Sequence, residues 1–417
     1  MTPTPAPAAK SDRLGYLDFY RGFTVVQMVA AHLLMHSVAP MKGDETARLF
    51  LFSYAELFSA GFLMLAGSNV GLIASRLGRI PGFDTLRFFA YTAFGLYVMG
   101  WSYNLLEGSG PFTSVVQAIG VGVLAAYLLH HARVPTWVFA AIGLGFIGAY
   151  YLAVAAVIEV DPSVRANFAW HMMAGHGEVT RDALDRLHPH KYWYCMFGIV
   201  PTCGYVILGA FIERLRGAWL VAFGVGCLAL AVVSHFMPEM TYNARTHMVL
   251  RMDLKFFVQI VPLYTGWLLT FRYLYPKRVA GPFARTVEGF GRLSLDFLIF
   301  HWIFIGLFTL TTPFLDKGPL DFAAVQWIRA ALVLSALWWT LPRFDAYRKR
   351  ASQKPGFLRR SWIILFSAYA VAILTSALPA LRPVRIAAGV IAALVFIRAY
   401  PTARDEWRRR CTPARPA

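Results

Sequence analysis

The chain has 417 residues, of which 58% are apolar and 15% charged, and its mean hydropathy is +0.52. These values exclude an ordinary soluble composition and place the chain in the membrane class, where length divides into spans rather than soluble domains. A net charge of +18 would point to nucleic acid in a soluble protein, but here the charge sits in short segments between apolar runs, so a nucleic-acid partner is excluded.

The opening MTPTPAPAAKSDR, residues 1–13, is Pro/Ala-rich and polar, and reads as a disordered cytosolic tail rather than a cleaved signal. Apolar runs follow at roughly 18–40, 49–74, 86–106, 111–130, 134–158, 192–212, 217–237, 251–275, 286–313, 321–341, 361–380 and 383–400. Each is close to the ~20 residues that cross a hydrocarbon layer. They predict an all-α, polytopic transmembrane helix bundle of about 12 spans (10–12), the last pair being split only by Pro379 to Pro383. Barrel strands are excluded by the length of the runs and their lack of alternation. The lipid bilayer is thus the first expected partner.

The first run, GYLDFYRGFTVVQMVAAHLLMHS, carries Asp18, Arg21, His32 and His36 inside an apolar helix. Ionisable groups at such depth are paired, line a cavity or work. Arg21 and His32 are eleven residues apart, or roughly 16 Å of helix. That puts the arginine near one face of the hydrocarbon and the histidine well inside. A guanidinium fork suits a phosphate-bearing ligand, and an imidazole suits proton or acyl transfer. The second run places Glu56 roughly 10 Å below its outer end and His32 lies roughly 12 Å below its own. Consecutive antiparallel helices are usually neighbours, so the two are expected to face each other, the carboxylate orienting the imidazole as a general base. A buried pair that only locks two helices is the structural alternative. Gly67 and Gly71 form a small-xxx-small pair, expected to be a helix contact.

Further along, the outer segment 159–191 holds His171, His176, Glu178, His188 and His190, whose spacings fit no compact metal motif; a solvated cap over a cavity is expected. Arg251, Asp253 and Lys255 cluster at the outer end of the eighth run and either bind a polar acceptor or anchor the helix. In the ninth run Arg292 and Asp296 stand four apart and are expected to pair along one face. His301 falls near the midplane, as a second acyl-handling or proton-relay group or as a structural histidine. Cys195, Cys203, Cys227 and Cys411 show no metal spacing, and no metal is expected.

Counted from a cytosolic N-terminus, the inner segments hold Lys10, Arg13, Arg76, Arg79, Arg87, Arg133, Arg214, Arg216, Arg272, Lys277, Arg278 and Arg285, then the clusters 343–360 and 404–415. The outer segments are poorer in basic residues, as the positive-inside rule requires. Both termini are therefore expected in the cytosol.

LDFYRG followed by His32 resembles the first-helix signature of the polytopic membrane acyltransferases. That group comprises the acyltransferase-3 enzymes, the periplasmic glucan succinyltransferases and the heparan-α-glucosaminide N-acetyltransferase-like proteins. SYAELFSAGFLMLAG, with Glu56, is similar to the corresponding succinyltransferase helix. VVQAIGVGVLAAYLL around Gln117 and YWYCMFGIVPTCGYVILGAFIERL around Pro201 resemble helices of the heparan-type proteins, and GRLSLDFLIFHW the near-terminal helix of the whole group. The resemblance covers most of residues 14–305 and implies an acyltransferase-like membrane core over 14–313; the apolar runs and charge add further helices over 314–400 and a basic cytosolic tail over 401–417.

On this resemblance the expected activity is transfer of an acetyl or succinyl-like group from cytosolic acyl-CoA to a carbohydrate or glycan acceptor, in a bacterial cytoplasmic (inner) membrane. His32, Glu56 and His301 are the expected catalytic residues, and Arg21, Asp18, Arg292 and Asp296 the expected substrate-binding ones. The rival reading is a major-facilitator-like transporter, since twelve spans with both ends inside is also that plan. GLIASRLGRI resembles its loop motif, but Ser75 replaces the acidic residue and the long central cytosolic loop is missing. A non-catalytic membrane subunit would leave the buried His and Glu unexplained.

Overall fold

The structure, a computed structural model, describes residues 15–37, 57–106, 115–160, 198–236, 256–274, 281–317, 322–375 and 378–412. Among these residues there is no strand. The helices are α1 Gly15–Ser37, α2 Leu57–Leu77, α3 Thr85–Leu106, α4 Val115–His131, α5 Thr136–Val160, α6 Ile199–Arg214, α7 Gly217–His235 and α8 Val261–Leu274. After them come α9 Pro282–Arg292, α10 Ser294–Thr311, α11 Phe322–Ser352, α12 Phe357–Leu374 and α13 Arg382–Arg410. By length and composition six of them, α2, α7, α10, α11, α12 and α13, are long and apolar enough to cross a membrane. The protein is therefore an all-helical, multi-pass membrane protein.

The expected ninth span, 286–313, is two helices. α9 is short, begins with Pro282 just inside its first turn, where a missing N–H costs nothing, and ends at Arg292. Leu293 breaks the helix, with its N–H bonded to the carbonyls of Gly289 and Phe290, and α10 starts at Ser294. The apolar run continues across this break, which is why composition alone joined the two.

Small residues set the tightest crossings. A Cβ added to Gly67 on α2 would lie 1.8 Å from the Val206 carbonyl oxygen on α6, and one added to Gly209 on α6 would lie 2.3 Å from that of Met64. Backbones this close exclude any side chain, and Ser68 Oγ adds a hydrogen bond to the Gly209 carbonyl at 3.0 Å. Close approach plus an interhelical hydrogen bond is how helices associate where lipid removes the hydrophobic drive. The expected reading of Gly67 and Gly71 as a helix contact holds.

α1 lies between two cores. Leu17 and Tyr20 belong to a cluster built with α2 to α6 and α8. Val25, Met28, Val29 and Leu33 belong to a second, built with α3, α4 and α10 to α13. One end of the bundle is tied together by arginines. Arg214 donates to the Val134 carbonyl at 2.8 Å, Arg272 to that of Glu213 at 3.1 Å, and Arg21 to that of Gly291 at 3.3 Å. At the same end the Asp84 N–H donates to the Cys411 carbonyl. This basic end collects the arginines that the sequence distributes over alternate segments.

Candidate active site

The site starts from a clamp at the basic end of α1. A Cβ on Gly22 would fall 1.8 Å from the Val287 carbonyl oxygen of α9, and one on Gly291 would fall 1.8 Å from that of Asp18. The glycines of LDFYRGF and EGFGR therefore let α1 and α9 touch backbone to backbone. Arg21 completes the clamp. Its Nη1 donates to Asp18 Oδ1 at 3.2 Å and to the Gly291 carbonyl, and its side chain is only 21% exposed. Asp18 and Arg21 thus stand together, on one face of α1, each engaged within the protein.

From this clamp the two segments rise side by side. Eleven residues separate Arg21 from His32 and ten separate Gly291 from His301, roughly 16 and 15 Å of helix. At that height His32 Nδ1 lies 2.9 Å from His301 Nε2. The rings stack at 5.0 Å between centroids and 17° between planes, and Trp302 closes on His32 at 4.6 Å. His301 is completely buried and His32 nearly so.

The backbone assigns the protons. His301 Nδ1 lies 3.2 Å from the Phe297 carbonyl oxygen, which can only accept, so with neutral rings Nδ1 carries the hydrogen and Nε2 is a lone pair. His32 must then donate from Nδ1, which leaves His32 Nε2 as the unprotonated, basic nitrogen of the pair. An imidazole held in one tautomer by a partner on its other nitrogen is the arrangement a general base needs.

Of the other expected site residues, Glu56 lies outside the described residues, as do the outer segment 161–197, Arg251, Asp253 and Lys255. The expected Arg292–Asp296 pair is corrected. Asp296 is buried and accepts from Arg348 Nη1 at 2.9 Å on both carboxylate oxygens, whereas Arg292 is exposed on the far side of the Leu293 break. Four residues place two side chains on one face only where the helix is continuous. Arg348 also bonds Asp345 and lies 3.4 Å from the Ile397 carbonyl, so the network joins α10, α11 and α13. Arg348 was legible only as one of a basic cluster; nothing local marked it as the partner of a buried aspartate. Tyr264 on α8, whose hydroxyl donates to Gln27 of α1, is a further polar contact near the site without a sequence signal.

Among the cavities at the basic end, two bear on the site. One, of about 660 Å³, is lined by Asn69, Arg76, Arg79, Thr92, Arg404 and Arg408 from α2, α3, α13 and the α2–α3 turn. The other, of about 630 Å³, lies between α9 and α11. Among the described residues no group of three metal-ligating side chains converges.

No curated protein matches the chain. Residues 13–215 match the family model described as heparan-alpha-glucosaminide N-acetyltransferase, catalytic. That segment holds Asp18, Arg21, His32 and Glu56 and ends just after α6, so His301 lies beyond it. The buried histidine above a clamped arginine thus falls in the segment that matches, and the match supports the reading of the protein as a membrane acyltransferase.

Proposed function

We propose that the protein moves an acetyl or succinyl-like group from cytosolic acyl-CoA to a carbohydrate or glycan acceptor across a bundle of about twelve spans, with both termini in the cytosol of a bacterial inner-membrane protein. The observation that carries the reading is the His32–His301 pair, buried at one height above the basic end and fixed in one tautomer.

The basic end is then the cytosolic face, in keeping with the positive-inside rule. Acyl-CoA brings its phosphates there. Arg21 is engaged by Asp18 and Gly291, so it holds α1 in place and offers the donor only what exposure remains. Arg76, Arg79, Arg404 and Arg408 line a cavity with room for a nucleotide, and the first two belong to the matched segment. Guanidinium forks suit phosphate geometry. The thioester reaches inward to His32.

His32 Nε2 takes the proton from the acceptor hydroxyl or amine as its oxygen or nitrogen attacks the thioester carbon. The new C–O or C–N bond forms, the C–S bond breaks, and the proton passes to the departing CoA thiolate. His301 Nε2 accepts from His32 Nδ1–H throughout and stabilises the transient imidazolium. Attack by Nε2 on the thioester itself, giving an acyl-imidazole that the acceptor then resolves, uses the same nitrogen. Glu56, outside the described residues, is assigned to stabilising the same imidazolium once Nε2 has taken the proton.

The decisive measurement is transfer of labelled acetyl from acetyl-CoA to envelope glycans by protein reconstituted in proteoliposomes, alongside mass spectrometry of envelope glycans with and without the gene. Loss of one acyl mass from a glycan, restored by wild type and not by His32→Ala, supports the reading. Unchanged glycans together with substrate accumulation inside vesicles would replace it with transport.

A further inference from the structure

We infer that the groove between α9 and the basic end of α11 is a binding site for the headgroup of an anionic phospholipid. The groove encloses about 630 Å³ and has two kinds of wall. Arg285, Arg292 and Lys349 supply one; Phe290, Trp338 and Leu341 supply the other. A ligand that fits both is amphipathic, with an anionic head and an apolar stem.

The charge in the groove is neutralised only in part: Lys349 pairs with Asp345, and Glu288 interacts with Arg292 through space. Asp345 is shared by Arg348 and Lys349, and Asp296 is taken by Arg348. Arg285 and Arg292 have no carboxylate within ion-pair distance among the described residues, and both are exposed. Trp338 in the apolar wall is 61% exposed, and Phe283, three residues before Thr286 on α9, is 74% exposed. Large aromatic rings beside arginines are the composition of a helix lying in the headgroup layer. Basic pockets between helices on the cytosolic side select anionic headgroups in this way. The donor nucleotide fits less well. It carries its phosphates far from its acyl end and has no apolar stem to lay on Phe290 and Leu341. α9 is also the helix clamped to α1 by Gly22 and Gly291, so the lipid would sit on the outer side of the element that holds the histidine pair at its height.

The test uses the full-length protein in detergent, titrated with phosphatidylglycerol or phosphatidylcholine, with retained lipid counted by native mass spectrometry. Wild type is expected to retain phosphatidylglycerol in preference to phosphatidylcholine. The Arg285→Gln/Arg292→Gln/Lys349→Gln protein is expected to bind it roughly a hundredfold more weakly. Arg292→Glu alone, at an exposed site, should weaken it in the same direction. His32→Ala and Arg76→Gln/Arg79→Gln proteins are expected to retain lipid as wild type does, which separates this site from the acyl-transfer reading. Equal retention by the triple variant, or indifference between the two lipids, overturns the proposal. Displacement of the lipid by adenosine 3′,5′-bisphosphate also overturns it and gives the groove to the acyl donor.

Discussion

At the residue scale the proposed chemistry rests on one nitrogen, His32 Nε2, and on the carbonyl of Phe297 that fixes its state through His301. Replacing His32 with Ala is expected to lower transfer by about 10²–10⁴ without harming insertion, because losing a polar group does not disfavour a membrane helix. A His32→Ala protein that inserts and transfers at the wild-type rate would remove it from the mechanism. On this reading His301 is a positioning residue, so its substitutions separate geometry from chemistry. His301→Leu leaves His32 Nδ1–H without its acceptor and is expected to cost roughly ten- to a hundredfold, the scale seen for other partners that orient an imidazole. His301→Gln offers an amide oxygen to the same proton and should recover part of that loss. Equal activity of the Leu and Gln proteins would show that His301 only fills space. Glu56→Gln is expected to impair transfer, and its combination with His32→Ala to be little worse than His32→Ala alone, as for residues that act as a unit. Multiplying losses would assign Glu56 a separate role. His32 was legible because a histidine has few reasons to lie in an apolar helix below LDFYRG. His301 was read only as a second relay group or a structural histidine, and that it meets His32 was not legible, because 269 residues separate the two.

At the element scale the decisive features are breaks and close approaches, which composition hides. Arg292 and Asp296 look like a helical pair until Leu293 interrupts the helix; after that, Asp296 turns inward to Arg348. Removing one partner of a buried ion pair strands the other charge, so Arg348→Ala is expected to lower stability by about 3–5 kcal/mol, whereas Arg292→Ala should leave it unchanged. Denaturant unfolding in detergent measures both, and a larger loss from Arg292→Ala would restore the pairing read from the sequence. The clamp gives a second prediction. Gly22→Val or Gly291→Ala inserts carbon where the opposite carbonyl oxygen stands 1.8 Å away, so α1 and α9 must separate. Expression is expected to survive while transfer falls at least tenfold, with the loss in kcat rather than in donor KM. A loss confined to KM would place the clamp at the donor site instead. The glycines were legible in the sequence only as members of a family-like motif. That each answers a particular carbonyl needed the packed helices.

For the whole molecule, the sequence conveyed the architecture well. Every expected span whose residues are described contains a helix, and the arginines of alternate segments do gather at one end. Hydropathy and charge are carried by many residues, so small errors average out. The boundaries were weaker, because α11 and α13 run on past their apolar stretches to Ser352 and Arg410, where charged turns look like loop. Orientation is tested by labelling. Single cysteines at position 170 and in the tail beyond residue 412 should react with an impermeant reagent from opposite sides of the membrane, the tail only after the cytosolic face is opened. Reaction from the same side would remove one span and invert the assignment of the basic end.

The clamp also makes the chain a matched pair of rulers. Both α1 and the α9–α10 segment are zeroed at Gly22 and Gly291, and the graduations that must coincide are His32 and His301. Inserting one residue into α1 between them advances the imidazole by only about 1.5 Å but swings it about 100° around the helix, off the partner ring and out of its tautomer. A compensating insertion in α10 restores height without restoring facing, because each helix turns about its own axis. The spacing from arginine to histidine is therefore a property of two helices at once. Neither count can drift alone, and an enzyme built on this clamp has no single-residue step by which to lengthen its reach.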